Sequence, residues 1–134
     1  MTSETETTGA RVLVVDDAAT VRLYHSSLLL EAGFRVDEAA NGLEAVEAAM
    51  ATPFDLFVVD VNMPKMNGYT CVETLRSETV GTEAPVLMIS TEDRPGDADR
   101  AYAAGANLYL VKPVSGDRLV RIATMLTAGK GMSA

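Results

Sequence analysis

Apolar residues follow two alternating rhythms along the chain. Val12–Val15, Val36–Ala39, Leu56–Val59, Val86–Ile89 and Leu108–Val111 are short aliphatic runs, and three of them are nearly continuous. Strands buried on both faces have this composition, so the runs predict a parallel sheet. The segments between them carry helical spacing. Val21, Tyr24 and Leu28 form one stripe, and Leu43, Val46 and Met50 a second. Tyr69, Val72 and Leu75 form a third, and Leu119, Ile122, Met125 and Leu126 a fourth. Between Pro95 and Ala104 the pattern weakens, with Tyr102 and alanines to bury, which predicts a helix of low local stability. Punctuation agrees with the elements. Gly33 stops the first helix, Asn41 with Glu44 makes a capping box before the second, Pro53 closes it, and Pro85 opens the fourth strand.

Strand and helix alternating five times predict an α/β fold: an open, doubly wound sheet with right-handed crossovers. The chain has 134 residues, enough for one domain. Residues 1–10 (MTSETETTGA) and 129–134 (GKGMSA) lack apolar anchors and are expected to be disordered tails around a domain spanning 11–128. The N-terminal stretch lacks the apolar run of a secretion signal, and no stretch is apolar for the length of a membrane span. These features predict a cytoplasmic protein without membrane contact. The formal net charge of −8 repels phosphate backbones, so nucleic acid is an unfavourable partner. Cys71, the single cysteine, excludes an intrachain disulfide and reads as a packed thiol on a helix. His25 follows Tyr24 beside the first stripe and reads as a surface or boundary residue.

In open α/β sheets ligands bind outside the carboxyl ends of the strands. Those ends carry Asp16-Asp17, Asp60, Ser90-Thr91 and Lys112-Pro113. The first turn, VVDDAATV, has no glycine, which excludes a dinucleotide fingerprint and a Walker A loop there. Acid in place of glycine suits a cation. Any single aspartate at a strand end reads as a helix cap, but acids, hydroxyl and lysine on four strand ends form a constellation. Carboxylates about 4 Å apart repel by about 4 kcal/mol at an effective dielectric of ~20, which a bound divalent metal or a retained proton offsets. Oxygen-only ligands favour Mg²⁺. Acid, metal, lysine and hydroxyl together suit a phosphoryl group, and one carboxylate can serve as its acceptor.

These positions resemble the receiver domains of two-component response regulators. The resemblance covers about 11–128, and the run from Asp60 to Gly68 matches the family's D-x-x-M-P-x-M-x-G segment. It implies a flavodoxin-like sheet of strand order 2-1-3-4-5. It implies that Asp60 accepts the phosphoryl group. Asp17 and Asp16 would hold Mg²⁺ with Asp60 and the Asn62 carbonyl. Lys112 would pair with the phosphoryl charge, and Ser90 would bond it. Tyr109 would be the aromatic switch, and Asn62 and Glu92 would set the phosphoryl lifetime, here in a combination similar to short-lived chemotaxis regulators. Serine at position 90, where many relatives have threonine, keeps the hydroxyl without β-branching and implies looser coupling. The implied partners are a sensor histidine kinase and an effector protein bound by helix 4, strand 5 and helix 5. With no output domain following residue 128, the expectation is a stand-alone, chemotaxis-type switch rather than an enzyme. A phosphorelay intermediate or phosphate sink is the alternative. An Mg²⁺-dependent phosphatase with an aspartate nucleophile is more distant, since such enzymes place their acids in D-x-D spacing and Asp16 and Asp17 are adjacent, with diverging side chains.

Overall fold

The apolar runs become the five strands of one parallel sheet, ordered β2-β1-β3-β4-β5. The computed structural model describes residues 9–77 and 83–128. The elements are β1 (Arg11–Val15), α1 (Ala19–Glu31), β2 (Arg35–Ala39), α2 (Gly42–Ala51), β3 (Leu56–Asp60), α3 (Gly68–Ser77), β4 (Val86–Ser90), α4 (Asp97–Ala104), β5 (Leu108–Val111) and α5 (Gly116–Leu126). Neighbouring residues on a strand point to opposite faces, so each run feeds two cores. Leu13, Val15, Phe57, Val59, Val86 and Met88 pack under α2, α3 and α4. Val12, Val14, Leu56, Val58, Leu87 and Ile89 pack under α1 and α5. β3 and β4 are buried throughout, as near-continuous apolar runs require. This is the expected fold class and strand order.

Local signals hold at the helix ends. The Glu44 N–H donates to the Asn41 side chain (2.9 Å), and the Glu44 carboxylate accepts from the Ala40 N–H (2.8 Å). After α1, the N–H groups of Gly33 and Phe34 donate to the carbonyls of Leu30 and Leu29, closing the helix in a Schellman arrangement. The third stripe, Tyr69, Val72 and Leu75, is buried as expected, and Cys71 is buried with its thiol pushed up to about 12 by desolvation.

The faces of the first two helices differ from expectation. α1 buries His25, Ser26 and Leu29, whereas Tyr24 of the expected stripe is 51% exposed. Leu23, Tyr24 and Leu28–Leu30 surround this helix with apolar groups, so spacing does not single out a face; the fit to the sheet does. His25 is therefore a core residue, not a surface one, and burial lowers its pKa, with Asp16 opposing and Lys112 adding to the shift. α2 buries Gly42, Ala45 and Ala49 and turns Leu43 and Met50 outward. At the start of the helix there is no room for a side chain: a Cβ on Gly42 would stand 2.8 Å from Met66. In α5, Leu119 and Ala123 are buried and Met125 is exposed.

Ala10, expected in the tail, is buried, and its carbonyl accepts the Arg35 N–H at 2.9 Å. This contact arises because Arg11–Val15 pairs along its whole length with Arg35–Ala39, which draws in the preceding residue. The remainder of both tails, 1–8 and 129–134, lies outside the described residues. Among the described residues, no helix is long and apolar enough to cross a membrane.

Candidate functional site

The carboxyl ends of β1, β3, β4 and β5 form one edge of the sheet. Asp16 leaves β1 with its N–H on the Ala39 carbonyl (3.1 Å). Its Oδ1 accepts from the Ala18 N–H (2.9 Å), and its carbonyl accepts from Arg22 Nη1 (2.7 Å). Arg22 is braced in turn by Glu38 (2.9 Å). Asp16 is thus fixed by its own turn and by α1, while Asp17, the next residue, is exposed.

Asp60 ends β3 beside Ile89 of β4, and the following Val61 N–H donates to the Ile89 carbonyl (3.0 Å). The chain then loops back through Lys65, whose φ is 71°. Gly68 closes this loop against the strand end, its N–H donating to the Val61 carbonyl (2.8 Å). A Cβ here would lie 2.5 Å from the Asp60 carbonyl oxygen and 2.7 Å from Val61 Cα. The glycine is dictated by that approach. The last residue of the D-x-x-M-P-x-M-x-G run therefore shapes the backbone of the first.

Lys112 follows β5, its N–H bonded to the Ser90 carbonyl (2.7 Å). The Lys112–Pro113 peptide is cis. The Lys112 ammonium donates to Asp60 Oδ1 at 3.1 Å and to Asp16 Oδ2 at 3.3 Å. Carboxylate oxygens of Asp16, Asp17 and Asp60 lie within 4.8 Å of one another. Asp16 and Asp60 are 3% and 6% exposed, so two of three crowded acids have little water to screen them.

Burial raises the Asp60 pKa from 3.8 to about 6; Asp16 and, more weakly, Asp17 add to this, and Lys112 opposes it. For Lys112, burial disfavours the charge, but Asp60 and Asp16 outweigh it and the pKa rises. Lys112 thus stays a cation, and Asp60 ionises only above the usual carboxylate range. The donor set is all oxygen, charged and converging, and it fits a hard divalent cation such as Mg²⁺.

Ser90 ends β4 and is fully buried. Its Oγ accepts from the Glu92 N–H (2.9 Å) rather than engaging Asp60. The Tyr109 hydroxyl donates to the Glu92 carbonyl (2.7 Å), so the two residues read as switch elements meet at the same peptide segment. The Glu92 carboxylate lies 3.2 Å from Arg94. Asn62 and Glu92 line a polar cavity of about 120 Å³, together with Tyr69, Arg94, Asp97 and Arg100. Asp16, Asp17, Asp60 and Lys112 are therefore brought into one cluster. Ser90, Glu92 and Tyr109 are bonded to one another through the segment after β4, and Asn62 shares the polar cavity with Glu92. Sequence reasoning missed Arg22, whose contact with the Asp16 carbonyl has no motif signal, and His25, which lines an apolar cavity of about 190 Å³ with Lys112 and Pro113. It also missed Tyr69 as a neighbour of the switch, because its helical spacing accounts for it as core.

Known proteins resemble this chain in sequence and in fold. A probable transcriptional regulatory protein, SilR, of Salmonella typhimurium is 36% identical over 123 residues, which are 91% of this chain and 53% of that protein. A gliding motility regulatory protein of Myxococcus xanthus is 37% identical over 76% of this chain and 13% of its own length. The chain thus spans about half, or less, of these curated relatives. Among solved structures, chemotaxis protein CheY4 of Vibrio cholerae matches with a TM-score of 0.83 at 37% identity, covering 87% of this chain and 98% of that one. The receiver domain of sensor histidine kinase PA1611 from Pseudomonas aeruginosa PAO1, solved with magnesium in its active-site cleft, matches with a TM-score of 0.82 at 28% identity, covering 89% and 98%. The family model for the response regulator receiver domain matches residues 12–124. With acids, hydroxyl and lysine on the strand ends and this fold beneath them, the chain belongs to the response regulator receiver domain family.

Proposed function

We propose that Asp60 is the phosphoacceptor of a signalling switch. The observation that carries this is the Lys112 ammonium bridging Asp60 and Asp16, 3.1 and 3.3 Å away, within a cluster of three carboxylates. Asp16, Asp17, Asp60 and the Asn62 carbonyl would hold Mg²⁺. When bound, the metal neutralises charge on the acids and on the phosphoryl oxygens. A carboxylate oxygen of Asp60 attacks the phosphorus of a phospho-imidazole donor on a histidine kinase. The P–N bond breaks as the P–O bond forms, and later attack by water returns inorganic phosphate and the free carboxylate. Lys112 stabilises charge on the transferring group, already positioned before transfer. Ser90 Oγ turns from the Glu92 N–H toward the phosphoryl oxygens, and the Tyr109 ring moves inward with that movement. Asn62 and Glu92, which line one polar cavity, set water access and so the phosphoryl lifetime.

The output is a change of affinity for a protein partner on the face of α4, β5 and α5. A chemotaxis-type role is supported by the likeness to Vibrio CheY4 over nearly all of that chain and by the Asn62/Glu92 pair. A second reading, control of transcription, is favoured by the names of two curated relatives, SilR and the transcriptional regulatory protein PcoR of Escherichia coli, 36% and 32% identical. Incubation with acetyl phosphate and Mg²⁺, followed by intact-mass measurement, tests the core of the proposal. A single phosphoryl adduct that Asp60→Asn abolishes is expected; no adduct on the wild type would overturn it. Affinity capture with phosphorylated and unphosphorylated protein separates the chemotaxis and transcription readings by the partner retained.

A further inference from the structure

Every polar group of Asp16 has a fixed partner. Its N–H donates to the Ala39 carbonyl (3.1 Å), and its carbonyl accepts from Arg22 Nη1 (2.7 Å). Its Oδ1 accepts from the Ala18 N–H (2.9 Å) and its Oδ2 from Lys112 Nζ (3.3 Å). Asp17 is different. It is exposed, and among the described residues its side chain makes no hydrogen bond or ion pair. Its carboxylate nevertheless converges with those of Asp16 and Asp60, within 4.8 Å. Backbone geometry is what aims it there. The Asp16 carbonyl and the Asp17 N–H belong to one planar peptide, so a group that holds the carbonyl fixes the direction from which the chain enters Asp17.

Arg22 is that group. It lies near the start of α1, and helical side chains lean toward the helix N-terminus, which carries the guanidinium back over the turn. Nη1 holds the Asp16 carbonyl, while Nε holds Glu38 of β2 (2.9 Å). Glu38 is paired with Val14 of β1, so the brace stands on the strand beside the one that leads to Asp16. An isolated surface ion pair would add little order. Here the Arg22 side chain is only 19% exposed, and its planar fork is fixed by two acceptors at once. Ala18 caps α1 without a side-chain bond, which leaves Arg22 to tie the turn to the helix.

We propose that Arg22, held by Glu38, is a positioning residue for the metal site: it fixes the Asp16–Asp17 peptide so that the Asp17 carboxylate meets those of Asp16 and Asp60. The inference rests on the Mg²⁺ site within the phosphoacceptor reading above. The guanidinium holds the Asp16 carbonyl and not its carboxylate, so it acts on the backbone and leaves the acids to the cation and Lys112. Charge alone would give Arg22 the opposite effect. A guanidinium close to three acids repels an incoming cation, so on electrostatics its removal would tighten Mg²⁺ binding. Position and charge therefore predict changes of opposite sign.

Isothermal titration calorimetry of Mg²⁺ into the full chain tests this, at a temperature well below the melting point of each variant. Arg22→Gln should raise the Mg²⁺ dissociation constant about tenfold, the low end for losing a group that orients a metal ligand. Glutamine has nearly the helix propensity of arginine, so the helix itself is little altered. Arg22→Lys keeps the charge and loses the planar fork, so it should also weaken binding, by a smaller factor. An arginine that served stability alone would lower the melting temperature and leave the dissociation constant of the folded protein unchanged. Phosphoryl uptake from acetyl phosphate, read by intact mass, should be slow in Arg22→Gln at low Mg²⁺ and return toward the wild-type rate at saturating Mg²⁺. Equal or tighter Mg²⁺ binding in Arg22→Gln, or an uptake deficit that saturating Mg²⁺ leaves undiminished, would overturn the inference. Should Arg22→Gln fail to fold, Arg22→Lys decides by the same criteria. Absence of Mg²⁺ binding in the wild type would strike the metal site itself, whereas normal wild-type binding with an unchanged variant would strike only the role of Arg22.

Discussion

Replacing Asp60 with asparagine should stabilise the metal-free protein at pH 8 and leave it nearly unchanged at pH 4. The folded protein holds the Asp60 proton more tightly than the unfolded chain, because burial and Asp16 raise the pKa from 3.8 to about 6. Between those values the folded state binds more protons than the unfolded one. Stability from this group is therefore fully present below about pH 4 and is lost as pH rises through about 6. A shift of about two units corresponds to about 3 kcal/mol above pH 7, an upper figure for the relief that Asp60→Asn provides. In a domain of this size that is on the order of 10 °C in melting temperature. His25 contributes with the opposite sign: burial lowers its pKa, which withdraws stability as pH falls. That contribution is common to both proteins and cancels in the difference. The assay is thermal unfolding of wild type and Asp60→Asn in chelator, followed by circular dichroism from pH 4 to 8. A difference that grows with pH is expected. Equal profiles, or a less stable variant at pH 8, would refute the claim that crowding and burial strain the Asp60 carboxylate.

The remaining predictions use the same cluster. Millimolar Mg²⁺ should raise the wild-type melting temperature, and Asp17→Asn should shrink that rise, since a ligand bound only by the folded state stabilises it; a titration of melting temperature against Mg²⁺ reads both. Ser90→Ala should still accept a phosphoryl group from acetyl phosphate, seen by intact mass, while losing the phosphorylation-dependent change in α4 amide hydrogen exchange. Gly68→Ala should destabilise by about 1–3 kcal/mol in urea, because its Cβ would stand 2.5 Å from the Asp60 carbonyl oxygen and displace the strand end.

The site was more legible than the helix packing around it. Asp16 and Asp60 lie 96 and 52 residues from Lys112 along the chain, yet all three directly follow an apolar run. One rule about parallel sheets was enough to gather them. The third helix was legible as well, because Thr70 and Glu73, among Tyr69, Val72 and Leu75, mark the outer face. The first was not: leucines at 28, 29 and 30 offer apolar groups in three directions, and His25 and Ser26 went inside while Tyr24 stayed out. In the second, Gly42, Ala45 and Ala49 went inside while Leu43 and Met50 stayed out, and at Gly42 the Met66 segment leaves no room for a Cβ.

By itself, the sequence determined the order of strands and helices, the chemistry at each strand end, the caps, and hence the family. These depend on periodicity and on residues adjacent in the chain, which are local properties. Tertiary structure alone decided which face α1 and α2 bury and that the Lys112 ammonium spans both Asp60 and Asp16. It also decided that Ser90 rests on Glu92, and that Arg100 stacks on Tyr69. Those outcomes depend on the shape and charge of surfaces contributed by distant segments. A helix with apolar groups on every side, or a hydroxyl with two possible partners, acquires its orientation only when those surfaces close around it.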